Sequence, residues 1–450
     1  MEKTLSCFKA YDIRGRVPDE LDENLAYAIA QAFGAHLGPK RVVVGHDIRL
    51  SSPPLSAALI SGFLEAGIDV VDLGLCGTEE IYFAVSHLGA DGGVMVTASH
   101  NPAEYNGMKL VREQSKPISG DTGLKDIERL AAAGFRVMAE TKGSLARLDN
   151  KGAYVAHLLT YVDVQRLKPF TIVADPGNGC AGPIIALLQK KLPMHFVQIQ
   201  AEPDGTFPNG VPNPLLPGNR EVTRRAVLEQ GADLGIAWDG DFDRCFLFDE
   251  QGGFIEGYYM VGLLAKAVLA NEPGAKIIHD PRLVWNTREI VMGAGGQPVM
   301  SKTGHAFIKE RMRAENAAYG GEMSAHHYFR DFAFCDSGMI PWLLATAILS
   351  KSGRPLSELV VEMQAAFPVS GEINSRVGDP DGAIRKVEDF YQAIPARRDY
   401  TDGFSLEAAD FRFNIRKSNT EPVLRLNVET RANPRLLEEK TAELLGLIRG

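Results

Sequence analysis

Three aspartates at alternate positions, Asp239, Asp241 and Asp243, follow the apolar run LGIAW and precede Arg244. Carboxylates so close repel one another unless they share a cation, and a hard, all-oxygen set suits Mg2+, which takes few carboxylates and completes its shell with phosphate and water. An EF-hand is excluded. Its spacing is imitated, with Glu250 at the twelfth position, but Arg244 stands where that loop needs glycine and CFLF continues as a strand. A hydrophilic turn is the plainer alternative for this cluster. A second candidate is Thr97-Ala98-Ser99-His100-Asn101-Pro102, where the apolar strand GVMV stops abruptly and leaves the Ser99 hydroxyl at a loop. Serine, asparagine and proline also make ordinary turns. The GxSxG elbow of serine hydrolases is absent.

Two further clusters read as recognition rather than bond-making. In Gly320-Gly321-Glu322-Met323-Ser324-Ala325-His326-His327, paired glycines permit a tight turn and close backbone approach. Glu322 can accept two vicinal sugar hydroxyls, with Ser324 beside it as donor or acceptor. Adjacent side chains rarely point the same way, so His326 and His327 are given structural or orienting roles rather than a metal. In Arg416-Lys417-Ser418-Asn419-Thr420-Glu421-Pro422, a guanidinium, hydroxyls and an amide beside exposed loop N–H groups suit a phosphate, a polar hairpin loop being the alternative.

The elements that must carry these clusters have a common plan. Residues 41–52, 171–182 and 276–286 each run from a short β-branched stretch into a loop containing an aspartate. Roughly 40 to 65 residues after each comes a second strand and polar loop, centred on Ser99, Asp241 and Glu322. Three related α/β units that deliver their loops to a shared centre are expected, with chance likeness of generic units as the alternative. Helical periodicity at 23–37, 56–66 and 258–270 predicts helices covering parallel strands. Residues 139–152 are polar and read as a linker ahead of 154–167, and Gln251-Gly252-Gly253 reads as a turn. Composition changes again at 368–371. Beyond it, FRFNIR and PVLRLNVET enclose a polar loop and a helix at 434–448 closes the chain, which predicts a small α+β domain.

In order, TASHNP, DGDFDR, GEMSAHH and RKSNTEP, with Tyr11-Asp12-Ile13-Arg14-Gly15 near the start, resemble the α-D-phosphohexomutase superfamily over essentially the whole chain. Within it the sequence is similar to the bacterial phosphomannomutases, including those that also act as phosphoglucomutases. The resemblance implies three related α/β domains and a C-terminal α+β domain around a central cleft. The expected boundaries are 1–150 (phosphoserine loop), 151–252 (metal loop), 253–367 (sugar loop) and 368–450 (phosphate loop).

It further implies conversion of mannose 1-phosphate and mannose 6-phosphate through a phosphoserine and a hexose 1,6-bisphosphate, and leaves open whether glucose phosphates are also taken. Ser99 is the residue it implies to be phosphorylated. Asp239, Asp241 and Asp243 would hold one Mg2+ with a Ser99 phosphate oxygen. Glu322 and Ser324 would grip sugar hydroxyls, and Arg416, Ser418, Asn419 and Thr420 the distal phosphate. Tyr11, Arg14, Lys109 and Arg244 would line the catalytic side. Lys109 is the first candidate for general acid/base and His305, in Lys302-Thr303-Gly304-His305, the second. Arg282 stands where a family lysine is expected, and Ala325 where many relatives have glycine. Glucosamine phosphate is disfavoured by Met323. Hexose 1,6-bisphosphate is the expected activator. The alternatives are a phosphatase with Asp239 as nucleophile, which the Asp239/Asp241 pair resembles, and a non-catalytic sugar-phosphate binder.

Composition limits the rest. A net charge of −9 argues against a broad nucleic-acid surface, though local arginines can still attract an anionic small molecule. The scattered Cys7, Cys76, Cys180, Cys245 and Cys335 show no CxxC spacing and suit a reducing compartment. MEKTLSCFKAYDIRG lacks the apolar core of a signal peptide, and the longest apolar run, 260–270, contains Lys266, short of the roughly 18 residues a membrane span needs. A cytoplasmic protein, monomer or weak dimer, with no membrane partner, is expected.

Overall fold

Three times along the chain, a buried β-branched strand ends in an aspartate and opens the same circuit. The computed structural model describes residues 5–418 and 423–450. The first unit comprises β1 Ile13–Arg16, α1 Glu23–Leu37, β2 Arg41–His46, α2 Ser52–Glu65, β3 Asp69–Leu75, α3 Thr78–Leu88, β4 Gly92–Val96, β5 Tyr105–Arg112, α4 Leu124–Ala132 and β6 Leu145–Arg147. The second has α5 Lys151–Leu158, β7 Thr171–Asp175, α6 Gly182–Leu188, β8 His195–Gln198, α7 Glu221–Gln230, β9 Leu234–Trp238 and β10 Cys245–Phe248. The third has α8 Gly257–Asn271, β11 Lys276–His279, α9 Trp285–Gly293, β12 Gln297–Met300, α10 His305–Glu315, β13 Tyr319–Gly321 and β14 His327–Phe329.

Their strand orders contain the same run: β5-β4-β2-β3, β10-β9-β7-β8 and β14-β13-β11-β12. Chance likeness does not produce that. In each, helical crossovers join three parallel strands, but the strand after the chemistry-bearing loop runs antiparallel, which the sequence reading did not foresee. The loops 97–104, 239–244 and 322–326 are too short for the crossover of about a dozen residues that a parallel partner requires. The opening aspartates also repeat one local bond. Asp47, Asp175 and Asp280 each accept, through Oδ1, the N–H two residues on, at 3.0, 3.0 and 2.8 Å.

Local chemistry sets the helix ends. Asp22 caps α1 by accepting from Leu25 N at 2.8 Å, and Gly38 at φ +59° ends it. α2 begins at Ser52, ahead of the expected 56, because Pro53 and Pro54 sit in its first turn, where no N–H is required. The first core, including Ile29, Phe33, Val42, Val44, Leu59, Phe63 and Val94, lies between α1, α2 and the sheet.

The expected linker at 139–152 contains β6, which pairs in parallel with β3, and the start of α5. All three residues of β6 are exposed, so no apolar pattern marks it; Ser144 N and Oγ on Asp69 Oδ1, both at 2.7 Å, fix its entry. The stretch 154–167 is helical only to Leu158 and continues as two short 3-10 turns.

Two bodies result: Met1–Phe254 with Asp331–Gly353, and Ile255–Arg330 with Arg354–Gly450. The first body takes in β15 Cys335–Asp336 and α11 Ile340–Ser352. Trp238 Nε1 donates to Gly338 O at 2.9 Å, and the Trp342 ring meets Phe196 edge-on at 5.9 Å.

In the second body, α12 Leu356–Ala366 packs on α8. The α+β tail follows: β16 Ile373–Ser375, α13 Pro380–Phe390, β17 Arg397–Asp399, β18 Phe404–Glu407, β19 Phe411–Lys417, β20 Leu424–Thr430 and α14 Pro434–Arg449. The strands form an antiparallel sheet ordered β16-β20-β19-β18-β17 over a core with Tyr391, Phe404, Phe413, Val428 and Leu444.

Candidate active site

Ser99 sits just past β4 in the left-handed region, φ +49°, a conformation that surrounding contacts must hold. Those contacts are extensive. Its N–H donates to Thr97 Oγ1 at 2.9 Å, and Thr97 donates to Asp47 Oδ2 at 2.7 Å. Buried Arg49 donates to four carbonyls of the same loop: Ser99 at 2.9, Asn101 at 2.6, Pro102 at 2.7 and Tyr105 at 2.8 Å. Arg14, oriented by Asp12 at 2.8 Å, adds bonds to Ala98 O at 3.1 Å and Asn101 Oδ1 at 2.5 Å, and half-buried Tyr11 lies near it.

The Ser99 hydroxyl donates to Asp239 Oδ2 at 2.8 Å, joining the first unit's loop to the second's. Arg244 reaches the same carboxylate oxygen through Nη2 at 2.6 Å and Nε at 3.0 Å, and Ser99 Oγ at 3.4 Å. His100 Nδ1 accepts from Arg244 at 2.5 Å and stands 3.1 Å from Ser99 Oγ. Burial, Arg244 and Arg14 push this imidazole well below its ordinary pKa, which keeps it neutral.

Lys109 Nζ lies 2.7 Å from Asp241 Oδ2 and 2.5 Å from Asp243 Oδ2, and Thr78 Oγ1 donates to Asp241 Oδ2 at 2.5 Å. Burial alone would raise the Asp241 pKa, but Lys109, Thr78 and Arg14 outweigh it and hold the carboxyl below its ordinary range. Burial likewise favours neutral Lys109, and Asp241 and Asp243 reverse that, keeping it an ammonium. Gly77 packs so closely on buried Phe242 that α3 and the aspartate loop share one position.

The residues suit a divalent cation. One oxygen from each of Asp239, Asp241 and Asp243 lies within 4.8 Å of the others, all three residues are buried, and Asp241 Oδ1 has no hydrogen-bond partner among the described residues. A buried, unmatched carboxylate oxygen is costly unless something positive approaches it.

In the second body, the expected sugar loop is tied to the loop after β11. Glu322 accepts from Gly304 N at 3.0 Å, Tyr328 OH at 2.5 Å and Arg282 at 3.4 Å. Arg282 also donates to Ser324 Oγ at 3.1 Å and Asp280 at 2.8 Å. Ala325 holds φ +68°, where glycine is the usual residue, a physical reason for the glycine of many relatives. The two histidines point apart. His327 Nδ1 is 2.6 Å from Tyr319 OH, whereas His326 stacks on Tyr328 and faces buried His305, the first residue of α10, at 6.4 Å between rings.

Arg416 ends its side chain near Glu372 at 3.6 Å and Asp402 at 3.9 Å, and Ser418 donates its N–H to Val423 O at 3.0 Å. Asn419 and Thr420 lie outside the described residues. Ser99, the three aspartates, Lys109, Arg244, Arg14 and Tyr11 thus belong to the first body, and His305, Arg282, Glu322, Ser324, Arg416 and Ser418 to the second.

Sequence reasoning missed Arg49, Thr78, His100 and Glu372 as partners of these groups. Arg49 sits within residues 41–52 and was open to notice; Thr78 and Glu372 carry no local signal.

Comparison with known proteins covers nearly the whole chain. Models of phosphoglucomutase/phosphomannomutase alpha/beta/alpha domains I, II and III match residues 6–136, 152–253 and 256–367, and the C-terminal domain model matches 372–446. A phosphomannomutase of Salmonella montevideo is 59% identical over 451 residues, 99% of each chain. One of Escherichia coli strain K12 is 58% identical over 453 residues, again 99% of each. The crystal structure of a phosphoglucomutase/phosphomannomutase family protein from Burkholderia thailandensis superposes with TM-score 0.87 at 33% identity, covering 99% of this chain and 98% of that one.

Proposed function

Because the chain belongs to the phosphoglucomutase/phosphomannomutase family, we propose that it interconverts mannose 1-phosphate and mannose 6-phosphate through a phosphoserine at Ser99. Glucose phosphates are proposed as a second substrate pair. The observation that carries the reading is the Ser99 hydroxyl on Asp239, amid three buried carboxylates and two buried cations.

Ser99 gives its phosphoryl group to the free hydroxyl of a hexose monophosphate, forming hexose 1,6-bisphosphate, and takes back the other phosphate after the intermediate has turned. Asp239, Asp241 and Asp243, with a Ser99 phosphate oxygen, would hold one Mg2+, which when bound neutralises charge on the transferring group. Arg244, placed on both Ser99 Oγ and Asp239, supplies positive charge where the equatorial oxygens develop theirs. Arg14 and Arg49 hold the serine loop in shape. Lys109, held as an ammonium, is placed first to give a proton to the sugar oxygen, with His305 as second candidate for general acid/base. Glu322 and Ser324 would orient sugar hydroxyls, Glu322 Oε2 keeping acceptor capacity beyond its bond from Tyr328. Arg416, Ser418, Asn419 and Thr420 would bind the phosphate that is not reacting, Arg282 would contact the substrate, and Tyr11 would line the catalytic side.

The reading extends to domain boundaries at 1–150, 151–252, 253–367 and 368–450, to hexose 1,6-bisphosphate as activator, and to a cytoplasmic monomer or weak dimer without nucleic-acid or membrane partners. No helix among the described residues is long and apolar enough to cross a membrane.

Phosphorus NMR of mannose 1-phosphate and glucose 1-phosphate, with Mg2+ and a trace of hexose 1,6-bisphosphate, tests it. The 6-phosphates are expected to appear, their rates giving sugar preference, and Ser99→Ala is expected to abolish both. Accumulation of inorganic phosphate alone would establish a phosphatase instead.

A further inference from the structure

Arg416 on β19 and Arg425 on β20 are directly opposite cross-strand partners, an arrangement in which like charges repel. Both are turned to one carboxylate. Glu372, the residue before β16, takes Arg425 Nη1 on Oε1 at 3.1 Å and Arg416 Nη2 on Oε2 at 3.6 Å. Arg282, from the third unit, donates to the same Oε2 at 3.3 Å. Arg282 is also matched by Asp280 and Glu322, and Arg416 stands 3.9 Å from Asp402. Arg282 and Arg416 are buried, whereas Glu372 and Arg425 keep 22% and 18% of their side chains exposed, so the cluster opens to solvent at that pair. Although burial opposes its charge, the three arginines hold the Glu372 carboxyl below its ordinary pKa range.

A carboxylate and a phosphate cannot both take the same guanidinium N–H groups. We propose that Glu372 is a resident competitor in the arginine cluster, one that yields Arg416 and Arg282 to the substrate's distal phosphate and then displaces that phosphate by returning. This deepens the proposed function and rests on it. A hexose bisphosphate that must turn around within one catalytic cycle has to leave its distal cradle midway, and Glu372 is the one anion that contacts all three arginines among the described residues. No covalent step is involved, only an exchange of ion pairs. Glu372 is therefore a positioning residue that sets how long the phosphate stays.

The test is calorimetric titration of the full chain with inorganic phosphate, paired with mutase kinetics. Glu372→Gln keeps the shape and removes the charge. It is expected to bind phosphate about tenfold more tightly and to lower both KM and kcat. Glu372→Asp draws the charge back by one methylene and is expected to fall between Gln and wild type. The gain is expected to vanish in the Glu372→Gln/Arg416→Ala double variant, which locates it in this cluster. Unchanged or weaker phosphate binding by Glu372→Gln, with a wild-type melting curve, overturns the proposal. So does binding by Glu372→Asp no tighter than wild type, should the glutamine variant fail to fold. A wild-type chain that isomerises no hexose phosphate, while the glutamine variant still gains phosphate affinity, refutes the mutase reading and leaves the competitor intact.

Discussion

Replacing Arg49 by lysine keeps the buried charge beside Asp47, 3.3 Å away, but removes the fork that holds the serine loop. The guanidinium makes bonds of 2.6–2.9 Å to four carbonyls, those of residues 99, 101, 102 and 105. One ammonium on a straight stem has three donors and reaches at most two acceptors so arranged. Two bonds from a charged donor are then lost, at about 1.5–3 kcal/mol each, and of the four acceptors the Ser99 carbonyl is buried. Roughly 3–6 kcal/mol thus leaves a loop that must also keep Ser99 at φ +49°, a conformation costing about 1–3 kcal/mol by itself. If that energy holds the hydroxyl in place, kcat/KM falls by about two to four orders of magnitude. Mutase kinetics with hydrogen exchange at residues 99–105 is the assay. Activity within threefold of wild type, together with unchanged protection of those amides, would refute the reasoning, because it would mean the loop holds its shape without the fork.

Two further outcomes follow from close packing and burial. In Gly77→Ala the new Cβ would stand 2.1 Å from the Phe242 ring, and Phe242, buried at φ +45°, has nowhere to retreat without moving Asp241 and Asp243. Destabilisation of about 1–3 kcal/mol and weaker Mg2+ binding are expected, read from melting curves and metal titration; wild-type Mg2+ affinity would show that the loop is not set by this contact. Burial and His326 push His327 down to about 3, so the folded chain refuses a proton that the unfolded chain accepts below about 6.5. The associated stability is complete above pH 6.5 and falls by about 1.4 kcal/mol per unit as pH drops toward 3. Denaturant unfolding of wild type and His327→Gln should show the variant less sensitive over that range, and parallel pH curves would sink the idea.

What could be read beforehand was what is local. TASHNP, DGDFDR and GEMSAHH announce loops because an apolar strand stops in polar residues, whereas RKSNTEP opens while β19 still runs, through Arg416 and Lys417, and 23–37 announces α1 because its cap, periodicity and closing glycine agree. The direction of β5, β10 and β14 was hidden, since a short buried strand reads alike whichever way it runs. β6 was missed because an exposed edge strand needs no apolar face. The partners of the site were hidden for another reason. Thr78 meets Asp241 across 163 positions and Glu372 meets Arg282 across 90, and no single sequence records a contact at such range. Ala325 shows the converse: its positive φ is a backbone fact, while the residue type alone suggests nothing unusual.

The return of 331–353 to the first body has a consequence for synthesis on the ribosome. Trp238, at the foot of the aspartate loop, finds its indole acceptor at Gly338, and a Cβ on that glycine would strike the Phe242 carbonyl and the Arg244 backbone. The wall behind the metal loop is therefore translated about a hundred residues after the loop itself. At roughly 5–20 residues per second, the first body waits about 5–20 s with its second sheet uncovered before α11 can seal it. A nascent chain arrested near residue 254 should accordingly bind chaperones or expose that sheet to protease, while one arrested well beyond 353 should not.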